Sequence, residues 1–364
     1  MIIGKRLFYL IFCPTFILLS ACEPLAPELT PPATEYTPAV TAMAGSTSPA
    51  TFVVITNTPA DGDIEVTPDG SITVASGGNV SGVVNTPQPT ITLPPQATAQ
   101  PTAAPVACDQ TEGQVVESAF TSATAGEEIA YRMYLPPCFY DTIQRYPYMV
   151  LFHGTGFNNS MWQDAGVVEA MDQGIQNGTL PPMVLVMPDG GAIAELNDLP
   201  EGQTYENVIL DELIPALESQ FCLWGNRDGR GIGGISRGGF WAFSIALRNP
   251  EMFSVLGGHS PYFEPDNAPP ELNPLDLVLS APLDQFPLRI YMDNAAEDYV
   301  GANALRMSEL LRDKGVTHTY LINPTGDHDI TYWQAHVGEY LSFYGQEWPK
   351  DVNNFPSCLE PSPK

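Results

Sequence analysis

The chain has 364 residues, 42 of them acidic and 14 basic, for a formal net charge of −28. A surface this acidic repels phosphate backbones and excludes nucleic acid as a partner. With 15% charged residues, 36 Pro and 31 Gly, a charged disordered protein, a coiled coil and a collagen-like repeat all fit badly, whereas 44% hydrophobic residues can build a sizeable core.

Residues 1–21 read as a signal peptide: Lys5 and Arg6 form a short positive start, and the apolar run from Leu7 to Leu19 is too short for a comfortable membrane span. Leu19-Ser20-Ala21-Cys22 resembles the bacterial lipobox, so Cys22 is the expected lipidation site, with an ordinary secretory peptide or an uncleaved anchor as the alternatives. Cleavage there takes two positive charges from the −28 and leaves −30. The expected location is the extracytoplasmic face of the cell membrane, with the N-terminal lipid as the only membrane contact.

Residues 22–107 contain no Lys or Arg and are dominated by Pro, Thr, Ala and Ser, a composition that cannot offset its ordering entropy by burial. The expectation is a disordered linker with a reach of about 50 Å. Ile64 to Val74 alternates around a Pro-Asp-Gly turn and could form a small hairpin, but an isolated hairpin is marginal and disorder is favoured. Outside the leader and the lipid site four cysteines remain, Cys108, Cys138, Cys222 and Cys358. Two disulfides are the simplest reading in an oxidising compartment, with the pairing open, and no Cys-x-x-Cys pair points to zinc.

Residues 108–364 alternate short apolar runs with longer amphipathic ones, the pattern of an α/β domain with a mostly parallel central sheet and helices on both faces. Val115–Phe120 and Glu128–Tyr134 read as an antiparallel pair. Tyr148–Phe152 and Met183–Met187 are continuous apolar runs, as in strands covered on both faces. Tyr205–Phe221 places Val208, Ile209, Leu213, Ile214 and Leu217 on one helical stripe. Further strands are expected at Gly231–Ile235, Phe253–Leu256, Leu288–Met292 and Thr319–Ile322, and helices at Arg237–Arg248, Ala302–Lys314 and Thr331–Tyr344.

Gly234-Ile235-Ser236-Arg237-Gly238 matches Gly-x-Ser-x-Gly in a strand, sharp turn, helix context, which would hold the Ser236 hydroxyl above the sheet edge within reach of a base. A glycine-rich turn with an incidental serine is the plain alternative. Gly229, Gly231 and Gly234 also fit a dinucleotide fingerprint, but they lie before and within the strand instead of opening a helix. His153-Gly154-Thr155-Gly156 follows a strand where a backbone donor to an oxyanion is expected, assigned to Thr155 with Gly156 as alternative; Arg237 N–H would be the second donor. After the strand near Leu288 come Asp293, Glu297 and Asp298, and after the next comes His328 between Asp327 and Asp329. This is the order Ser, acid, His. Asp298 is favoured as the acid, Asp293 is its main competitor and Glu297 the third choice, while loop and helix capping is their plain role. For His328 the alternatives are a solvated loop histidine or a metal ligand; no metal and no cofactor is expected. His153 could be mistaken for the base, His259 could face the pocket as a substrate contact, His318 looks like a surface residue, and His336 fits a packed helix face.

His153-Gly154 with Trp162, Met187-Pro188-Asp189-Gly190, Leu210 to Pro215, the elbow through Gly239, Asn249 to Phe253, Glu297-Asp298, and Gly326 to Asp329 with Trp333 together resemble the putative esterase family of α/β hydrolases. That group includes esterase D, enterochelin, feruloyl and acetylxylan esterases, and mycolyltransferases. The resemblance spans roughly Ala130 to Phe343 and implies an α/β-hydrolase fold with a catalytic Ser236, Asp298 and His328. Arg237 departs from it, because a hydrophobic residue is common after the nucleophile in relatives, and this bears on the pocket. The function expected is a serine carboxylic-ester hydrolase acting on a small-molecule or polysaccharide-linked ester. An acyltransferase with the same triad is the alternative, and a non-catalytic binding module is a third reading.

Overall fold

In the computed structural model, residues 109–197, 202–263 and 268–360 are described, so the signal peptide, Cys22, the linker and its hairpin lie outside them. Among the described residues eight strands form one sheet: β1 Gln114–Thr121, β2 Glu128–Leu135, β3 Tyr148–Phe152, β4 Val184–Pro188, β5 Arg230–Ile235, β6 Val255–His259, β7 Arg289–Ala295 and β8 Thr319–Asn323. Their order is β1-β2-β4-β3-β5-β6-β7-β8; β1–β2 and β2–β4 are antiparallel and every later neighbour is parallel. This is an α/β-hydrolase sheet. β3 and β4 are buried along their whole length, which is why they read as unbroken apolar runs and not as alternation.

The helices are α1 Met161–Asp164, α2 Val167–Gln176, α3 Tyr205–Asn207, α4 Ile214–Gln220, α5 Arg237–Arg248, α6 Pro274–Ser280, α7 Gly301–Asp313 and α8 Ile330–Tyr344. They cover both faces. Residues of α1, α2 and α8 pack in one core, with Trp162, Met171 and Tyr340, and those of α3 to α7 in the other, with Ile209, Trp241, Val278 and Met307. The stripe expected over residues 205–221 is buried, but the helix runs through π-helical turns over Val208–Leu213 between α3 and α4. Pro215 just beyond has no N–H to give the Asp211 carbonyl, so a wider turn there forfeits less than a regular one would.

β6 and β7 run further than their composition suggests. β6 continues through Gly257-Gly258-His259, and β7 through Asp293-Asn294-Ala295. Gly233 and Gly257 make this possible on the α8 side, because a Cβ at either would lie 2.4 or 2.2 Å from the Tyr344 hydroxyl. His318, expected at the surface, is instead buried: its Nε2 meets Ser308 Oγ at 2.8 Å and its Nδ1 meets Val316 O at 2.9 Å. Cys222 and Cys358 form a disulfide with Cα atoms 5.8 Å apart. Cys138 is also disulfide-bonded, and Cys108 lies outside the described residues.

Candidate active site

The loops after β3, β5, β6, β7 and β8 meet at the carboxyl edge of the parallel sheet, where such folds gather their functional groups. Ser236 joins β5 to α5 with φ 55° and ψ −117°, a conformation that costs of order 1–3 kcal/mol and that the surroundings must impose. Two glycines permit it. A Cβ on Gly234 would lie 2.2 Å from the Gly238 backbone, and one on Gly238 would lie 2.4 Å from Phe152 O. The turn thus lifts Ser236 to the start of α5, next to the positive end of the helix dipole.

His328 lies between β8 and α8, directly before Asp329, whose side chain accepts from Tyr332 N–H and caps that helix. Asp298 lies in the turn after β7, where its Oδ1 accepts from Val300 N–H at 3.0 Å. The three side chains form a line: His328 Nε2 is 2.9 Å from Ser236 Oγ, and His328 Nδ1 is 2.9 Å from Asp298 Oδ1 and 3.2 Å from Oδ2. Burial pushes the Asp298 carboxyl upward, but hydrogen bonds from His328, Ser260 and the Val300 N–H outweigh it and hold it below the ordinary carboxylate value. Glu297 beside it is exposed.

Asp293 belongs to a different network. It sits inside β7, fully buried, accepting from His259 Nδ1 at 2.8 Å, Tyr332 OH at 2.6 Å and Tyr340 OH at 3.0 Å. His259 does not face the pocket. It lies opposite Asp293 in the β6–β7 register, stacks on Tyr340 with ring centroids 3.5 Å apart, and meets Tyr344 OH through Nε2. Burial holds its pKa below the usual histidine value against the pull of Asp293, which favours the neutral ring. His153 is likewise engaged elsewhere: Gly190 N–H donates to its Nε2 at 2.8 Å and its Nδ1 meets Gly154 O at 2.8 Å.

The loop bearing Thr155 and Gly156 is exposed and comes close to the serine, since a Cβ on Gly154 would lie 3.2 Å from Ser236 Cβ. The Arg237 side chain turns away from it. It is buried, stacks on Phe240 and Trp241 at 4.4 and 5.4 Å, and donates through Nε to Ala194 O at 3.1 Å. Trp241 Nε1 donates to the same carbonyl, and Glu195 next to it accepts from Thr155 Oγ1 at 3.3 Å. Arg237 therefore braces the 193–195 turn against the Thr155 loop, and this is the physical content of its departure from the family pattern.

Sequence reasoning missed the aromatic rim. Tyr299, 70% exposed, places its ring 4.6 Å from His328 and 6.3 Å from Tyr262; Phe157, 44% exposed, lies 6.4 Å from Trp333. Adjacency of Tyr299 to Asp298 was its one readable signal. Among the described residues no group of three or more His, Cys, Asp or Glu side chains is arranged to hold a metal ion, and no helix is long and apolar enough to cross a membrane.

A doubly covered sheet of this strand order, with a strained serine at the β5–α5 turn, is that of an α/β hydrolase. The family model described as "Putative esterase" matches residues 122–343, more than half of the chain, and the chain belongs to that family. It is 31% identical over 163 residues to an endo-1,4-beta-xylanase/feruloyl esterase of Xylanibacter ruminicola, covering 41% of this chain and 22% of that protein. It is 28% identical over 146 residues to an esterase of Mycobacterium tuberculosis, covering 39% of this chain and 31% of that one. The chain thus spans less than a third of either relative. Among solved structures, a ferulic acid esterase superposes with a TM-score of 0.58 at 24% identity, covering 65% of this chain and 99% of that one. The S-formylglutathione hydrolase of Staphylococcus aureus does so with a TM-score of 0.56 at 18% identity, covering 64% and 98%.

Proposed function

We propose that the protein is a serine carboxylic-ester hydrolase. The observation that carries this reading is the hydrogen-bonded line Ser236 Oγ, His328 Nε2, His328 Nδ1, Asp298 Oδ1, built on a strained turn at a helix start. Ser236 Oγ attacks the ester carbonyl carbon while its proton passes to His328 Nε2. Asp298 holds Nδ1–H and stabilises the imidazolium, and the backbone N–H groups of Thr155 and Arg237 receive the oxyanion. Collapse of the tetrahedral intermediate breaks the ester C–O bond, and the departing alcohol takes the proton from Nε2. Water, deprotonated by the same nitrogen, then releases the acid and frees Ser236.

The substrate class we assign is a neutral ester of an aromatic acid, free or attached to a polysaccharide. The ledge of Tyr262, Tyr299 and Phe157 beside the Ser236–His328 pair supports it, the net charge of −28 disfavours anionic esters, and a similar protein is named a feruloyl esterase. We assign the lipid-anchored location to Cys22, supported by Leu19-Ser20-Ala21-Cys22 and by a disulfide suited to an oxidising compartment. Cys22→Ser should release the protein from the membrane fraction, and full retention would discard the anchor. The test of the activity is labelling by a fluorophosphonate together with turnover of aryl and alkyl esters, with and without alcohol acceptors. Ser236→Ala should lose both labelling and turnover while unfolding as the native chain does; turnover at the native rate would discard the reading, and faster transfer to alcohols than to water would make the enzyme an acyltransferase.

A further inference from the structure

The end of β6 and the segment after it touch both ends of the Ser236–His328–Asp298 line. His259 O accepts the Ser236 N–H at 2.9 Å, and Tyr262 N–H donates to Ser236 O at 3.0 Å. Pro261 closes against α5, where a Cβ on Gly239 would lie 2.8 Å from it. Ser260, between these contacts, is fully buried with φ 47°, and its N–H donates to Asp293 O at 2.7 Å. A glycine would meet that backbone without strain, so what the serine adds is its hydroxyl. Ser260 Oγ accepts from Trp333 Nε1 at 3.1 Å, which leaves its own proton for another acceptor, and that acceptor is Asp298. Trp333 meanwhile presents its ring edge-on to His328, with centroids 5.2 Å apart.

We propose that Ser260 is a positioning residue of this site: fixed by Trp333, its hydroxyl holds the Asp298 carboxylate in the orientation that receives His328 Nδ1–H. A carboxylate turns readily about its last torsion. Val300 N–H binds Oδ1, while His328 Nδ1 is shared between Oδ1 at 2.9 Å and Oδ2 at 3.2 Å, so neither holds Oδ2 alone; a further donor from the β6 side stops the swing. The acid, on the β7 loop, is thereby tied to the base helix α8 through a residue that itself stays away from substrate. The proposal rests on the hydrolase reading above.

The test compares Ser260→Ala, Ser260→Gly, Trp333→Phe and Ser260→Ala/Trp333→Phe with the native chain, on an ester whose turnover Ser236→Ala abolishes. Both Ser260 variants should lose kcat by about tenfold, the usual worth of one hydrogen bond to a charged group, with KM unchanged. A carboxylate that has swung away stabilises the imidazolium less, so the acidic limb of the kcat/KM profile should move to lower pH. Trp333→Phe should do the same to a smaller extent, and the double variant should be no worse than Ser260→Ala. The proposal is overturned by native kcat in either Ser260 variant, by a limb that stays put or moves upward, by losses that add in the double variant, or by a change confined to the unfolding midpoint. Should Ser236→Ala itself keep turnover, the hydrolase reading fails first, and the two failures are thus told apart.

Discussion

Asp293 and Asp298 stand five positions apart on one strand and its following loop, and conversion of each to Asn should separate them by kcat. Asp298 and the His328 side chain are 0% and 11% exposed and 2.9 Å apart at their nearest atoms. With charge centres about 4 Å apart and an effective dielectric of about 20, their attraction in the imidazolium state is about 4 kcal/mol. At about 1.4 kcal/mol per factor of ten, Asp298→Asn should lower kcat of the folded enzyme by about 10³. Asp293 receives three donors, from His259, Tyr332 and Tyr340, and carries no contact to His328. An amide offers them a single oxygen and turns its own N–H groups toward the rest, leaving one or two buried donors unmet at about 1–3 kcal/mol each. Asp293→Asn should therefore lose about 3 kcal/mol in guanidinium unfolding, while the folded fraction keeps kcat within a few-fold of native. Steady-state ester hydrolysis and denaturant titration on both variants decide it. A crippled but stable Asp293→Asn enzyme, or an Asp298→Asn enzyme within tenfold of native, would refute the assignment.

Tyr299→Ala should raise KM for aryl-acid esters several-fold and leave acetyl-ester turnover nearly unchanged; equal effects on both would remove the ledge from the substrate assignment. His259 and His318 are held by burial below the ordinary value of 6.5, so the folded chain binds fewer protons than the unfolded one below about pH 6.5. Stability should accordingly fall as pH drops through that window, by up to about 1.4 kcal/mol per pH unit for each histidine, and His259→Gln should flatten the slope by one proton. An unchanged slope would mean the ring is already charged in the fold. Replacing Cys222 and Cys358 together by Ala should cost about 2–5 kcal/mol in unfolding while preserving kcat, since the bridge joins elements at the far end from Ser236; native stability in the double variant would show the bridge idle.

Elements whose signal is local were legible in the chain. Tyr148–Phe152 and Arg237–Arg248 lie where their apolar runs place them, and the strand-turn-helix context of Ser236 is met in full. Helix α2 was overlooked although Val167, Met171 and Gly174 carry the buried spacing, and α6 was overlooked although Asn273 caps it and Pro274 opens it. The ends of β6 and β7 could not be read, because glycines, a histidine and an aspartate have turn composition. What keeps them in strands is Tyr332, Tyr340 and Tyr344, which come from a helix dozens of residues later and satisfy the buried polar groups. The same distance explains why Asp293 remained a rival to Asp298 and why His259 and Ser260 gave no local sign of their partners.

The rim and the sheet answer to different demands. Phe157, Tyr262 and Tyr299 come from three separate loops, and none lies in a strand of the eight-stranded ladder or in the buried cores beneath it. Exchanging their side chains alters what meets the mouth and leaves the ladder hydrogen bonds and the Ser236 turn as they were. Such a molecule can drift in substrate range through a few surface changes without approaching its unfolding threshold, so descendants of one ancestor can part in diet while sharing one scaffold. A library confined to these three positions is therefore the economical place to select new ester preferences.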